Sequence, residues 1–312
     1  MAIIAARARP RLSSKRPSKW VTIGLFLVPV VAFYLLFVLF PVVQAAYYSL
    51  FKWNGLQPLT NFIGLQNYST AIASDTFVTA VGNNVFIVVL SLTLQVPFSL
   101  FLALMLNRKF PGRAIFRLIF FLPYVLSEAV TGIVFTLLLQ PGALIDSSFK
   151  DVGLGWLVQD WLGDTSVVMI TLFVIISWKY FGFHMILLLA GLQGIPREIE
   201  EAAQIDGASR FQSFRFVTLP LLGPTLRVSV FLSMIGALQL FDMVWVMTGG
   251  GPLNASNTMA IAMFKAGLKN NQMGYGSALA VILFGFGLLV ALAYQRFVLR
   301  RDVEGAVTAF NG

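Results

Sequence analysis

Six apolar runs, near residues 20–40, 84–106, 114–139, 166–192, 226–247 and 275–297, decide what this chain can become. Crossing about 30 Å of hydrocarbon takes a helix of roughly 20 residues, and each run is long enough. Hydrocarbon offers no partner to a backbone N–H or C=O, so a spanning segment of this length folds as a helix that satisfies its own groups. The expected fold is all-α: a polytopic membrane protein with six transmembrane helices and both termini on one side. Composition agrees, since 58% of the 312 residues are hydrophobic and only 11% charged, too few to cover a soluble surface.

The charges sort by side. Arg and Lys gather in the N-terminal stretch (Arg7, Arg9, Arg11, Lys15, Arg16, Lys19), the second loop (Arg108, Lys109, Arg113, Arg117), the fourth loop and its edge (Arg197, Arg210, Arg215, Arg227) and the tail (Arg296, Arg300, Arg301). That is seventeen against four on the other side, Lys52, Lys150, Lys265 and Lys269. By the positive-inside rule the crowded side is cytoplasmic. The net charge of +9 lies in short flanks instead of one broad basic face, so the partner it points to is the lipid bilayer and not nucleic acid. A cleaved signal peptide competes for the first run, because basic residues precede it and Ala45-Ala46 follow it. Its apolar stretch is longer than the roughly 7–15 residues of a signal h-region, and removing it would spoil the alternation of charged loops. The expected divisions are a basic cytoplasmic segment, 1–19, free to lie against anionic headgroups, a six-helix transmembrane domain, 20–297, and a cytoplasmic tail, 298–312.

The fourth loop, about 193–225, is longer than 30 residues, where helix connections usually take about 2–8. Pro196 followed by Glu198, Glu200 and Glu201 reads as a helix start, with acids where the helix dipole favours them. Gly207 interrupts that helix. The second half, Phe211 to Leu222, mixes aromatic side chains with Arg215 and is expected to end at Pro220 and Pro224. Two short helices meeting at a bend on the membrane surface is the economical reading.

Glu201-Ala202-Ala203, then Asp206-Gly207-Ala208, then Phe214, Val217, Leu219-Pro220 and Pro224 resemble, at the same spacing, the EAA loop of ABC-importer permeases. The resemblance implies that the first short helix is a coupling helix lying in a groove on a separate cytoplasmic ATPase. Glu201, Ala202, Ala203, Asp206, Gly207, Ala208 and Phe211 would be the ATPase-coupling residues. Their chemistry suits that role: small Ala202 and Ala203 permit close approach, Glu201 can bond a basic partner, and Gly207 frees the backbone to turn. An ordinary amphipathic interfacial helix is the competing reading, with no reason to reproduce the whole pattern.

Catalysis by this chain is not expected. No stretch reads Gly-x-x-x-x-Gly-Lys-Ser/Thr, and Gly249-Gly250-Gly251-Pro252 lacks the lysine and hydroxyl that hold phosphate and magnesium. There is no cysteine, hence no thiolate nucleophile or metal ligand. His184, the only histidine, falls inside the fourth span, where packing or hydrogen bonding is the plainer role. The expectation is a non-catalytic subunit with no cofactor or metal of its own, ATP and Mg being used by partner ATPase subunits.

Three further segments resemble the sugar-type branch of these permeases, as in the maltose and glycerol-3-phosphate systems. They are Phe62-Ile63-Gly64-Leu65-Gln66-Asn67-Tyr68, followed by Asn83-Asn84; Phe241-Asp242; and Thr248 to Pro252 with Asn254, Asn257 and Thr258. The last run resembles the first of two permeases in a heterodimeric importer. The likeness runs from Trp20 onward and implies a second permease subunit, two copies of a cytoplasmic ABC ATPase, an extracytoplasmic solute-binding protein and a place in the bacterial cell membrane. It also implies uptake of a mono- or oligosaccharide by alternating access. The maltose permease carries extra N-terminal spans and a large outer domain that are absent here, so docking of a binding protein would use small loops. Gly249 to Pro252 also reads as a turn breaking a helix at the outer interface.

Ionisable groups inside spans need partners or a wet cavity, which singles out Glu128, Lys179 and Asp242. Helical rise puts Glu128 and Lys179 at similar depth, so a structural ion pair competes with a substrate role. Amides, carboxylates and aromatic faces are what a sugar needs, and Tyr124, Glu128, Trp178, Gln239, Asp242 and Trp245 are the candidate pathway residues, with helix packing and interfacial anchoring as the alternative. Gln239 and Asp242, three apart, would share one helix face. A glycerol-3-phosphate cargo would favour cations along the path, where Lys179 stands alone. A secondary transporter would explain the spans and charges but not the fourth loop.

Overall fold

The computed structural model describes residues 19–299; the rest of the basic N-terminal segment and of the tail, with the expectations placed on them, lies outside the described residues. Among the described residues five helices are long and apolar enough to cross a membrane: Ile23–Tyr48, Asp75–Asn107, Val168–Gln193, Arg210–Leu238 and Met273–Val298. The pair Arg113–Val125 and Glu128–Leu138, bent by 94°, passes the same test together and makes the sixth where it counts as one broken span. Extended pairing among the described residues amounts to one antiparallel bridge, Phe51 to Phe62.

The fourth span is the central post, the most deeply buried of the five. Leu102, Ala103 and Leu106 of the second span pack on its Met185, Leu188 and Leu192, with Leu222 beneath them. Toward the other end, Leu172 and Ile176 meet Ile87, Met243 and Met247. Gly182 lets the third span seat directly on it: a Cβ there would stand 1.9 Å from the Phe120 carbonyl oxygen. The first span lies along the sixth, and Phe26, Phe33 and Phe37 on it are exposed, as expected where lipid is the solvent.

Four sequence expectations need correction. The first span continues to Tyr48 and the second begins at Asp75, because hydrocarbon thickness limits the apolar run and not the helix. The third span is broken at Leu126-Ser127 instead of running through 114–139. The fifth does not occupy 226–247: it starts at Arg210, ends at Leu238, and is followed by a separate helix, Asp242–Thr248. The second half of the fourth loop accordingly does not stop at Pro220 or Pro224 but is the foot of the fifth span.

The loops at the end of the bundle away from the fourth loop are tied by polar side chains. Buried Asn67 donates to the carbonyls of Ser49 and Phe51 at 2.8 and 3.0 Å, and the Tyr68 hydroxyl lies 2.6 Å from that of Ser49. In the loop after the third span, Asp146 accepts from the Gly142 amide and the Trp161 indole at 2.8 and 2.9 Å, bonds that hold its carboxyl below the usual range.

Candidate functional site

The break in the third span is built around Lys179, which is 2% exposed. Its ammonium donates to the carbonyls of Pro123 and Tyr124, each at 3.5 Å, and to that of Leu126. These belong to the end of the half-helix Arg113–Val125, where carbonyls lack intrahelical partners and the dipole favours a cation. Glu128 opens the next half-helix, where the dipole favours an acid, and accepts from the Tyr180 hydroxyl. Ser127 caps the same end, its hydroxyl accepting from the Val130 amide at 3.3 Å. The expected Glu128–Lys179 ion pair is thus corrected: the two charges serve opposite helix ends across one break.

The break in the fifth span is held from a distance. Fully buried Asn84 donates to the carbonyls of Ala237 and Leu238 at 2.7 and 3.3 Å and accepts from the Met259 amide at 2.9 Å. The Thr258 hydroxyl takes the Leu240 carbonyl at 2.8 Å. With those groups satisfied, ending the helix in mid-membrane is not costly. Gln239 therefore ends one helix and Asp242 begins another, so they do not share a helix face.

Between the two breaks lies a cavity of about 430 Å³, within the roughly 300–1,000 Å³ of small-molecule sites. Tyr124, Glu128, Gln239 and Asp242 line it, so four of the six candidate pathway residues are brought together. Trp178 and Trp245 are elsewhere. Trp178 meets Phe135 edge-on at 5.1 Å, because two residues along a helix from Tyr180 point to nearly the opposite side. Trp245 stacks with Phe241 at 5.8 Å, with the Lys269 ammonium 5.8 Å from its ring.

Five polar lining residues were not among the candidates: Ser91, Gln95, Tyr180, His184 and Ser233. A usable signal existed, since Ser91 with Gln95 and Tyr180 with His184 are i, i+4 pairs on one face of an otherwise apolar helix. His184 Nδ1 lies 2.8 Å from the Ser229 hydroxyl. Tyr124 stacks on Phe183 at 4.8 Å and leaves aromatic surface beside the hydroxyls. No Lys or Arg is among the lining residues. No cluster of three or more potential metal ligands occurs among the described residues.

At the far end of the fifth span, the loop helix Arg197–Ile205 carries Glu198 and Glu200 in its first turn. Gly207 follows at φ +84°. The Ala208 amide reaches the Ala203 carbonyl at 3.0 Å and the Gly207 amide that of Gln204 at 3.1 Å, a Schellman ending that only glycine adopts without strain. Ser209 and Gln212 then form a capping box, which launches the helix that becomes the fifth span. Glu201, Ala202, Asp206 and Phe211 are exposed, and Ala203 and Ala208 partly so. Ile205 is 86% and Phe211 71% exposed, an apolar pair flanking the joint. The Thr218 hydroxyl donates to Glu200 at 3.1 Å and ties the loop helix to the base of the fifth span.

A family model described as "Binding-protein-dependent transport system inner membrane component" matches residues 95–303. A probable ABC transporter permease protein of Bacillus subtilis is 35% identical over 88% of this chain and 94% of its own length. A multiple sugar-binding transport system permease protein of Streptococcus mutans is 34% identical over 83% of this chain and 89% of its own. In shape, a chain from the crystal structure of a bacterial ABC transporter involved in import of the acidic polysaccharide alginate matches with a TM-score of 0.79 at 23% identity, covering 90% of this chain and 96% of that one. The fold, the broken spans and these likenesses converge: the chain belongs to the binding-protein-dependent transport system inner membrane components, the permease subunits of ABC transporters.

Proposed function

We propose that this permease imports an uncharged mono- or oligosaccharide, handed over by an extracytoplasmic solute-binding protein. It would work beside a second permease and above two copies of a cytoplasmic ABC ATPase, which hold the ATP and Mg. The observation that carries the reading is one helix. Arg210–Leu238 begins at the exposed joint of the fourth loop and ends in the wall of the cavity, where it supplies Leu232, Ser233, Gly236 and Ala237. A push on the loop helix, tied to that helix through Glu200 and Thr218, reaches the cavity without passing through a flexible element. Closure of the ATPases would open the cavity outward, and hydrolysis would return it. The positive-inside count supports placing both termini and the loop in the cytoplasm.

The cargo follows from the lining. Gln95, Gln239, Glu128, Asp242 and the hydroxyls of Tyr124 and Tyr180 offer amides, carboxylates and hydroxyls to sugar hydroxyls, and Phe183 and Phe241 offer faces to ring carbons. Two carboxylates without a facing Lys or Arg oppose a phosphate ester, and Lys179 is turned into main-chain carbonyls. The relative named for multiple sugars agrees with a carbohydrate.

Two experiments test the reading separately. Glu201→Ala and Gly207→Val are expected to insert normally yet reduce ATP-driven uptake by about tenfold or more, the first by losing a charge-assisted bond and the second by forcing a β-branched residue to positive φ. Unchanged transport in both would sink the coupling assignment. In the cavity, Gln239→Ala and Asp242→Asn should raise the sugar concentration for half-maximal uptake by about tenfold, the loss of one or two hydrogen bonds, while the complex assembles and its ATPase stays coupled. Normal uptake affinity in both variants removes the cavity as the sugar site.

A further inference from the structure

At the coupling-loop end of the bundle a larger hollow, of about 940 Å³, opens between the second, third and fourth spans and the loop helix. Five cationic side chains line it, Arg108, Lys109, Arg113, Arg117 and Arg197, against the carboxylates of Glu200 and Glu201. Five cations against two carboxylates leave the wall with an excess of positive charge. Arg117 donates to the Leu106 carbonyl at 3.1 Å, which fixes its guanidinium in the wall of the hollow. The half-helix Arg113–Val125 turns its positive end to the same place: Gly112 supplies no side-chain cap, and no acid occupies the first turn. Guanidinium forks beside free helix N-terminal amides are the donors that phosphate oxygens accept from.

What flanks the hollow selects the source of that phosphate. Met105 and Phe116 are exposed large apolar residues beside the lining residues Leu104 and Arg117 on the second and third spans, and Phe110 lies against Phe116 at 6.0 Å, a flank on which acyl chains could lie. A headgroup seated among the arginines would lay its acyl chains along that flank, whereas a free anion would make no use of it. Basic pockets between spans at this level suit anionic lipids generally. We propose that this hollow is a structural site for one anionic phospholipid, its phosphodiester held by Arg113, Arg117 and Arg197. The lipid would brace the start of the third span against the loop helix.

The test uses the full chain in mild detergent, stripped of lipid and examined by native mass spectrometry with phosphatidylglycerol, phosphatidylcholine and inorganic phosphate in turn. Phosphatidylglycerol should be retained and phosphatidylcholine not, with inorganic phosphate failing to displace the lipid. Arg113→Gln combined with Arg197→Gln should lower retention about tenfold, the loss expected for charge-assisted bonds. The corresponding double Lys variant should recover part of it, and Arg296→Gln, outside the hollow, should change nothing. Should the double Gln variant unfold on thermal melting, Arg197→Gln alone, on the exposed loop helix, carries the test with a several-fold drop. Equal retention of the two lipids, or retention untouched by the Gln changes, overturns the proposal. Displacement by inorganic phosphate overturns it in favour of a free-anion site, and loss of lipid on adding the ATPase pair overturns it in favour of an acidic side chain of that partner.

Discussion

Gly182→Val is expected to abolish the assembled membrane domain. A Cβ at this position would lie 1.9 Å from the Phe120 oxygen, 2.7 Å from its carbonyl carbon and 3.1 Å from the Phe121 Cα. All three obstacles are main chain, so no rotamer change relieves them and one span must move off the other. Overpacking typically costs about 1–3 kcal/mol and sometimes more, and a rigid obstacle puts Val at the upper end. The damage would not stay local. The Tyr124–Phe183 stack at 4.8 Å and the bonds from Lys179 to the third span both cross this contact, so the cavity would lose a wall. Thermal unfolding in detergent and sugar uptake measure the outcome, with Gly285→Ala, which has nothing within 4 Å of its added methyl, as the tolerated control. A Gly182→Val chain that melts and transports like the parent would mean that the two backbones do not touch in the working protein.

The number and rough placement of the spans are legible in the sequence because hydrocarbon thickness acts on each run separately. Their breaks are not, because the groups that stabilise them are remote. Nothing between Val125 and Glu128 is a glycine or a proline, and the amine that takes the freed carbonyls sits in another span. Gln239-Leu240-Phe241 is equally plain, and the break there depends on Asn84 and Thr258. The foot of the fifth span is a different case, since the Ser209-x-x-Gln212 capping signature stands in the sequence. Pro220 and Pro224 masked it. The π-turn Phe214–Thr218, in which the Leu219 amide reaches back to the Phe214 carbonyl, widens the helix just before Pro220, so the missing N–H does not end it. In the cavity, the charged and amide residues flanking the breaks were legible as polar groups in apolar runs, while Trp178 was placed by residue type and not by helix face.

Lys179→Met is expected to stop transport while leaving an inserted, assembled permease. Methionine keeps most of the length of the side chain and removes every donor, so the carbonyls of Tyr124 and Leu126 lose their lysine partner inside the membrane and that of Pro123 keeps only the Leu126 amide at 3.3 Å. Each unpaired group costs about 1–3 kcal/mol, and the chain has one cheap escape: residues 113–138 can straighten into a single helix that bonds its own carbonyls. Straightening would swing Tyr124 and Glu128 out of the cavity they line. Because the chain has no cysteine, spin labels can be placed cleanly through Ile115→Cys and Leu137→Cys, both exposed positions at the ends of the bent pair. At 1.5 Å rise per residue, the right-angle arrangement holds those backbone positions about 23 Å apart and a continuous helix about 33 Å. The expected result is a shift toward the longer distance with uptake near background, and Lys179→Arg, which keeps the donors, should stay at the shorter one. A Lys179→Met chain with unshifted distances and normal uptake would show that the amine does not hold the break open, and the cavity would then need another architect.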